Sequence, residues 1–577
     1  MNTIEYIIKI LEEFGIENIF GISGCYNSFI IDSVISNSHM NWINCTNELN
    51  AGYAADGYAR INGYGALITN YGSGELSAIN AIAGAMAENV PIVNLVGIPS
   101  TEHINSRSLL HHNLLNADYQ TFIDSYRRVS SFCALLTKDN AKIEIDRAFK
   151  IFSKEKKPIY LAIPEDIAKM EISDKDATYE WMSDEKTLNT ATEKIAALIN
   201  NAKRPIIIGD ILIKRYNSET QFKDFCIKSG IPITNFVMGQ GIIDNSVDNY
   251  WGCYFSYFAN QKIKQYIDDS DCIIAVGTIN SDFNSFNFNE SKEIKKNIAI
   301  YGSYLYINEK KYDNIKMCDV LSRITKLVEH RECNIKQYNN GYDNNEPQNA
   351  PINSNFLLSR IQEFLKESDI VFVDGVCLSY SIAGMKLPNN INIQSQILWN
   401  SAGWATPAIL GACSAKPNSR AILLTDNDTH FKTCIELNTI LQYGYKPIVI
   451  VINNQNTSQN TQRFNFAKLA RIFDGEIWAT KVTTEQDFDK ALNVTRIMNK
   501  LCYIEVILEQ NNLAKQVQDI IKYNHSDKNN SVAEKSKEEK TFNYVLTNNA
   551  GSFGYETTVH KTYKDLDKLF NTEVDDG

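Results

Sequence analysis

The chain has 577 residues, a formal net charge of −11 and 44% hydrophobic residues, enough apolar material for about three to four domains. Only 22% of the residues are charged, so the bulk of the chain is not disordered. The acidic balance excludes a whole-chain basic footprint for nucleic acid or an anionic membrane, and no apolar run approaches the ~18 residues of a membrane span.

The first stretch, MNTIEYIIKILEEFG, carries Glu5, Lys9, Glu12 and Glu13 where a signal peptide needs an unbroken apolar run, so a cytoplasmic protein is expected. Seven short runs rich in Ile and Val then recur, at 90–100, 157–166, 204–210, 271–277, 369–375, 420–426 and 446–454. Most end in Gly, Asp or Asn. Continuous apolar runs of this length are strands buried on both faces of a parallel sheet. Helical patterns lie between them, as in ELSAINAIAGAMAE (75–88) and TCIELNTILQYG (433–444). Alternating strand and helix predicts an α/β protein with doubly wound parallel sheets, whose ligands sit beyond the carboxyl ends of the strands. No internal repeat is visible. Twelve cysteines are scattered without a Cys-x-x-Cys, which indicates neither a zinc site nor a disulfide scaffold.

The runs fall into three clusters. The boundaries predicted are 1–172 for the first domain, 187–335 for the middle domain, 336–355 for a linker rich in Asn, Asp and Pro, and 356–525 for the third domain. Residues 526–577 open on a highly polar stretch and read as a C-terminal extension.

The most informative segment runs from Asn47 to Ser100. Taken alone, Glu48 is a first-turn acid favoured by the helix dipole, and Gly72, Gly74 and Gly84 are turn and packing residues. Read whole, the segment resembles the pyrimidine-binding domain of thiamine-diphosphate-dependent 2-oxo acid decarboxylases, the pyruvate and indolepyruvate decarboxylase group. The resemblance continues through LLHHNLL (109–115), VMGQGIIDNS (237–246), QILWNSAGWATPAILGA (396–412), TDND (425–428) and Asn453–Asn454, and so covers residues 1–525. It implies three doubly wound domains that are pyrimidine-binding, middle and diphosphate-binding, with thiamine diphosphate and Mg²⁺ as cofactors.

The resemblance also assigns roles. Glu48 takes the slot of the glutamate that hydrogen-bonds the cofactor pyrimidine, and Gly74 lies at the same end. A carboxylate in an apolar site has a raised pKa and can share such a proton. His111 and His112 match paired histidines that position substrate and shuttle protons near neutral pH. Without the resemblance, adjacent histidines in a loop are more often surface residues. The metal needs hard oxygen ligands, implied to be Asp426, the Asn454 side chain and a backbone carbonyl at about Asn456. Asp428 belongs to the same cofactor-binding motif. The plainer reading of Asp426 and Asn454 is a helix cap and a turn residue.

Departures concentrate at the same places. Cys25 stands where such enzymes carry a proton-relaying Asp, and Asn460 where they carry a second acid. Asn427 replaces a glycine that lets backbone approach the diphosphate. Ala402 replaces a large aliphatic prop, Asn400 a glycine that contacts the aminopyrimidine, and Cys377 a threonine. Losing one general acid or base typically costs about 10²–10⁴ in rate.

The implied function is decarboxylation of a 2-oxo acid to an aldehyde, and carboligation is favoured where protonation is slow. The alternative is a homologue that has lost this activity and serves as a binding, structural or regulatory protein, or does new chemistry in the old cleft. The small-molecule partner is a 2-oxo acid; no nucleic acid or membrane is expected. A homodimer or homotetramer, with the site across the dimer interface, is implied because the pyrimidine and metal ends lie on different domains.

Overall fold

The strand-forming runs make three separate sheets. The structure is a computed structural model that describes residues 1–173, 178–254, 261–285, 297–333, 341–454 and 464–508. The C-terminal extension expected from 526 lies outside the described residues. No described helix is long and apolar enough to cross a membrane.

The first sheet contains β1 (Asn18–Gly21), β2 (Asn41–Asn44), β3 (Gly65–Asn70), β4 (Ile92–Ile98), β5 (Phe132–Leu135) and β6 (Ile159–Pro164). Its order is β2-β1-β3-β4-β6-β5 and every pair is parallel. The central strands β3, β4 and β6 are buried at every residue, which is why they read as unbroken apolar runs.

The middle sheet contains β7 (Pro205–Gly209), β8 (Ile233–Asn235), β9 (Tyr250–Cys253), β10 (Cys272–Val276), β11 (Ile298–Ile300), β12 (Tyr304–Ile307) and β13 (Lys310–Asp313), in the order β13-β12-β11-β10-β7-β8-β9. Here the expectation of parallel pairing holds only in part. β12 and β13 are added antiparallel at one edge. Short turns, 301–303 and 308–309, join them, and such turns can only make hairpins. Asn308 supplies the positive φ, 52°, that the tighter turn needs.

The third sheet contains β14 (Ile370–Val373), β15 (Asn392–Ser395), β16 (Ala421–Asp426), β17 (Ile448–Asn454), β18 (Ile477–Val482) and β19 (Leu501–Leu508). Its order is β15-β14-β16-β17-β19-β18, all parallel. This is the winding of the first sheet repeated, although the sequence shows no repeat. Winding depends on where apolar runs and turns fall, not on which side chains fill them. In both sheets the strand order reverses beside the first strand, between β1 and β3 and between β14 and β16. Those two crevices are where an open α/β sheet binds ligands.

Two contacts lock the first and third domains together. The helix Glu48–Asn62 crosses the helix Ala405–Ala415 with backbones touching. A Cβ on Gly57 would sit 1.9 Å from the Ala408 carbonyl oxygen, and one on Gly411 would sit 1.9 Å from that of Ala54. Beside the crossing lies a buried ionic knot. Arg60 donates to Asp56 at 2.6 Å and to Glu88 at 2.7 Å, with all three side chains fully buried. Its guanidinium also lies 4.5 Å from the Trp404 ring centroid. Burial alone would pull Arg60 down, but Asp56 and Glu88 hold it above its ordinary pKa. The middle domain joins through Arg215, which donates to the Glu88 carbonyl and to Gln394, each at 3.3 Å. Burial first and the Arg60 charge second push Arg215 down to about 9.

Replacing Glu88 with Ala strands a buried guanidinium and is expected to cost about 3–5 kcal/mol in a denaturant titration. Gly411→Ala forces two helix backbones apart and is expected to cost about 1–3 kcal/mol in the same measurement.

Candidate active site

The sequence-derived residues gather in two groups, one at each crevice. At the first sheet, Cys25 lies exposed in the turn after β1. Glu48 opens its helix behind the N-cap Asn47, whose side chain accepts from the Asn50 amide. Glu48 is half-buried. A Cβ on Gly74 would come 3.2 Å from Glu48 Oε1, so the small residue leaves that carboxylate its space. His111 and His112 are exposed on the loop after β4. His112 holds a positive φ of 69° and its Nδ1 is 2.8 Å from Ser73 Oγ. Burial and the neighbouring His111 lower the His112 pKa, while Glu48 acts the other way.

The turn beneath His112 is set by Gly72, at φ 71°. A Cβ there would meet the His112 carbonyl oxygen at 2.4 Å, so only glycine fits. Glu75, fully buried, accepts from the Gly72 amide at 2.8 Å and from the Tyr160 hydroxyl at 2.7 Å. Burial pushes its pKa up to about 7.

At the third sheet, Asp426 ends β16 and Asn454 ends the neighbouring β17, with Asp426 in register with Ile452. Asp426 Oδ1 caps the short helix Asn427–Phe431, accepting from the Thr429 amide at 2.8 Å. Burial raises its pKa. The cap and the ligand roles are therefore compatible. Oδ2 lies on the other side, 2.6 Å from where a Cβ on Gly375 would be, and Gly375 has φ 101°. Glycine there keeps that oxygen uncovered. Asn427, replacing a glycine, starts the helix with an ordinary backbone, and its side chain donates to the exposed Asp428 at 2.8 Å. Cys377 is exposed on the helix Val376–Ala383; desolvation around the thiol and the Asp426 charge raise its pKa. Asn456 and Asn460 lie outside the described residues.

Asn400 and Ala402 sit on the loop between β15 and the helix Ala405–Ala415. Asn400 has φ 53°, a backbone that asparagine tolerates where a glycine would otherwise be needed. This loop is tied to the first domain at many points. Glu88 Oε1 accepts from the Leu398 amide at 2.9 Å, and Asn80 bonds both Trp399 and Ser401 at 3.0 Å. Asp56 accepts from Trp404 Nε1 at 2.8 Å.

Two site carboxylates were not singled out from the sequence. Asp374, 6% exposed, accepts from the Gly403 and Ala405 amides and joins the loop to the Asp426 crevice. Its pKa is pushed up to about 7, chiefly by burial and then by Asp426. The Asp-Gly ending of the 369–375 run was the available signal. Glu436, fully buried, accepts from Asn50 at 2.8 Å and from both Thr46 donors, clamping the turn that carries Glu48. Its partners are almost four hundred residues away, and no local pattern marks it.

Matches to known proteins follow this division. Residues 1–121 match the family model for the thiamine pyrophosphate enzyme N-terminal TPP binding domain, 192–318 the central domain and 378–506 the C-terminal TPP binding domain. The chain belongs to the thiamine pyrophosphate enzyme family. Among relatives, it is 33% identical over 465 residues to the pyruvate decarboxylase of Aspergillus fumigatus, spanning 78% of this chain and 81% of that protein. It is 30% identical over 467 residues to pyruvate decarboxylase isozyme 1 of Saccharomyces cerevisiae, spanning 78% and 82%. It is 29% identical over 552 residues to the enzyme of Kluyveromyces lactis, spanning 89% and 97%. In this member of the thiamine pyrophosphate enzymes, the Asp426 carboxylate has the hard-oxygen chemistry that a divalent cation requires.

Because Glu75 binds its proton more tightly when folded, stability is full below 4.5 and lost as pH rises through about 7. Glu75→Gln is expected to add roughly 3 kcal/mol at pH 8 and little at pH 4.5, read from urea midpoints at the two pH values.

Proposed function

We propose that this protein is a thiamine-diphosphate- and Mg²⁺-dependent enzyme that decarboxylates a 2-oxo acid to an aldehyde. The observation that carries the reading is the Glu48 carboxylate, kept beside Gly74 and within electrostatic reach of His112 at the ligand crevice of the first sheet. Asp426 and Asn454, with a carbonyl at about Asn456, would hold the metal, and Asp428 lies beside them. Glu48 would hold a proton against the pyrimidine. The cofactor, when bound, supplies the electron sink for loss of carbon dioxide. His111 and His112 would bind the 2-oxo acid and exchange protons with it. Ala402, Asn400, Asn427 and Cys377 would line the cofactor with side chains different from those of the resembled enzymes.

The two groups of residues belong to different sheets, so we propose that they complete one site across a homodimer, with a tetramer as the larger assembly. Exposed Leu76, Trp399, Phe431 and Ile435, 38–49% accessible, flank both crevices and suit such an interface. A second reading rests on Cys25 and Ala402. With a thiol in place of the relay acid and a small residue in place of the prop, the cleft would bind without rapid turnover, or turn to carboligation.

The test is a thermal-shift titration with thiamine diphosphate and Mg²⁺ together, followed by a panel of 2-oxo acids. Cofactor at 100 times its Kd is expected to add about 2.7 kcal/mol of stability. Glu48→Gln is expected to keep the fold and lose at least about 10²-fold in turnover. A shift without turnover of any 2-oxo acid would favour the second reading; no shift, with no cofactor retained on purification, would overturn both.

A further inference from the structure

Position 25, where the resemblance implies a proton-relaying acid, carries a thiol. The partner that the structure gives His111 is the neighbouring Tyr26. The Tyr26 hydroxyl lies 2.9 Å from His111 Nδ1, and the two rings stack with centroids 4.6 Å apart and planes at 21°. Tyr26 is placed by the sheet rather than by the histidine loop. Its amide donates to Asn70 Oδ1 at 2.8 Å, at the end of β3. Its carbonyl packs on Gly97 of β4, where a Cβ would come within 1.9 Å. The Tyr71 ring meets it edge-on at 6.1 Å. The phenol is thus a fixed post against which the imidazole rests. No described residue bonds His111 Nε2.

We propose that Tyr26 is the positioning residue of His111: its hydroxyl donates to Nδ1 and fixes the Nε2–H tautomer, so His111 presents a hydrogen-bond donor to its ligand. The proposal rests on the functional reading above only for the identity of that ligand, a 2-oxo acid whose carboxylate or carbonyl oxygen would accept from Nε2.

The chemistry is the reverse of what a carboxylate would impose. A carboxylate only accepts, so it draws the proton to Nδ1 and leaves Nε2 as the acceptor of a neutral ring. A phenol is a good donor and a poor acceptor, so it leaves Nδ1 bare and puts the ring proton on Nε2. Tyr26 keeps its own proton, because burial raises its pKa and Tyr119 and Cys25 add to the effect. Tyr26 and His112 are the rings against His111, while Tyr71, Tyr119 and Cys25 surround or act on the Tyr26 phenol. Glu48 acts on His112, whose own Nδ1 is engaged by Ser73. The His111 and His112 ring centroids are 4.8 Å apart, so a charge on one disfavours a charge on the other. With a thiol at position 25 and the phenol of Tyr26 on Nδ1, His111 lends a hydrogen bond from Nε2.

The experiment is nitrogen NMR on the full-length protein carrying ring-labelled histidine, without added cofactor, at pH 7.5. His111 is assigned by the signals lost in His111→Gln. In the wild type His111 is expected to show a protonated Nε2 and an unprotonated, hydrogen-bonded Nδ1. In Tyr26→Phe, which keeps the stacked ring, both nitrogens are expected to move toward a common averaged position, while His112 stays unchanged and so reports an intact loop. A wild-type His111 protonated at Nδ1, or an unchanged His111 spectrum in Tyr26→Phe, would overturn the proposal. For any 2-oxo acid that the wild type turns over, Tyr26→Phe should raise KM by roughly 3–10-fold, the loss of one aligned hydrogen bond. If no 2-oxo acid is turned over, the functional reading fails, and the tautomer is still decided by the spectra alone.

Discussion

A single buried guanidinium governs the architecture of this chain. Arg60 needs two carboxylates to remain charged without water, and they come from its own helix and from the end of the next one. Once paired, Asp56 and Glu88 still have oxygens to satisfy. Glu88 gives its second oxygen to the Leu398 amide, and Asp56 Oδ1 accepts from the Trp404 indole as well as from Arg60; both donors belong to the loop carrying Asn400 and Ala402 or to its end. The position of the Asn400–Ala402 loop in the third domain is thereby set by charges in the first. Replacing such a buried group by an apolar one is often neutral for stability, but removing one partner is not. The knot works as a specification of geometry more than as a source of stability.

The same economy appears at the two crevices. Each crevice is lined by side chains that also cap or brace local structure. Asp426 caps a helix with one oxygen and keeps the other beside Gly375. Gly72 allows the turn that His112 rests on, and Glu75 satisfies its amide from within the core. The departures from the resembled enzymes fall on exposed or half-exposed positions, Cys25, Cys377, Asn400, Ala402 and Asn427, while the braces behind them are buried.

The strands of the first and third sheets could be read from the sequence because parallel strands buried on both faces leave continuous apolar runs. β12 and β13 could not, since each is half exposed and short. Glu48, His111, Asp426 and Asn454 were legible through resemblance, and each alone has an ordinary explanation. Tyr26, Asp374, Glu436 and Arg60 were not legible. Their meaning lies in partners between 28 and 390 residues away, and a tyrosine or a helix-end acid carries no mark of the neighbour it will meet. The shared winding of the two outer sheets leaves no mark on the residues for a related reason: topology is carried by turn placement, not by residue identity.

The crossing of the helices Glu48–Asn62 and Ala405–Ala415 has a kinematic meaning. With Gly57 seated on the Ala408 carbonyl and Gly411 on that of Ala54, each backbone is a stop for the other. Close-packed interfaces of this kind do not deform continuously. Sliding along the helix axes would drive one backbone into the other. Within one chain, this crossing therefore sets the distance between Glu48 and the Ala402 loop.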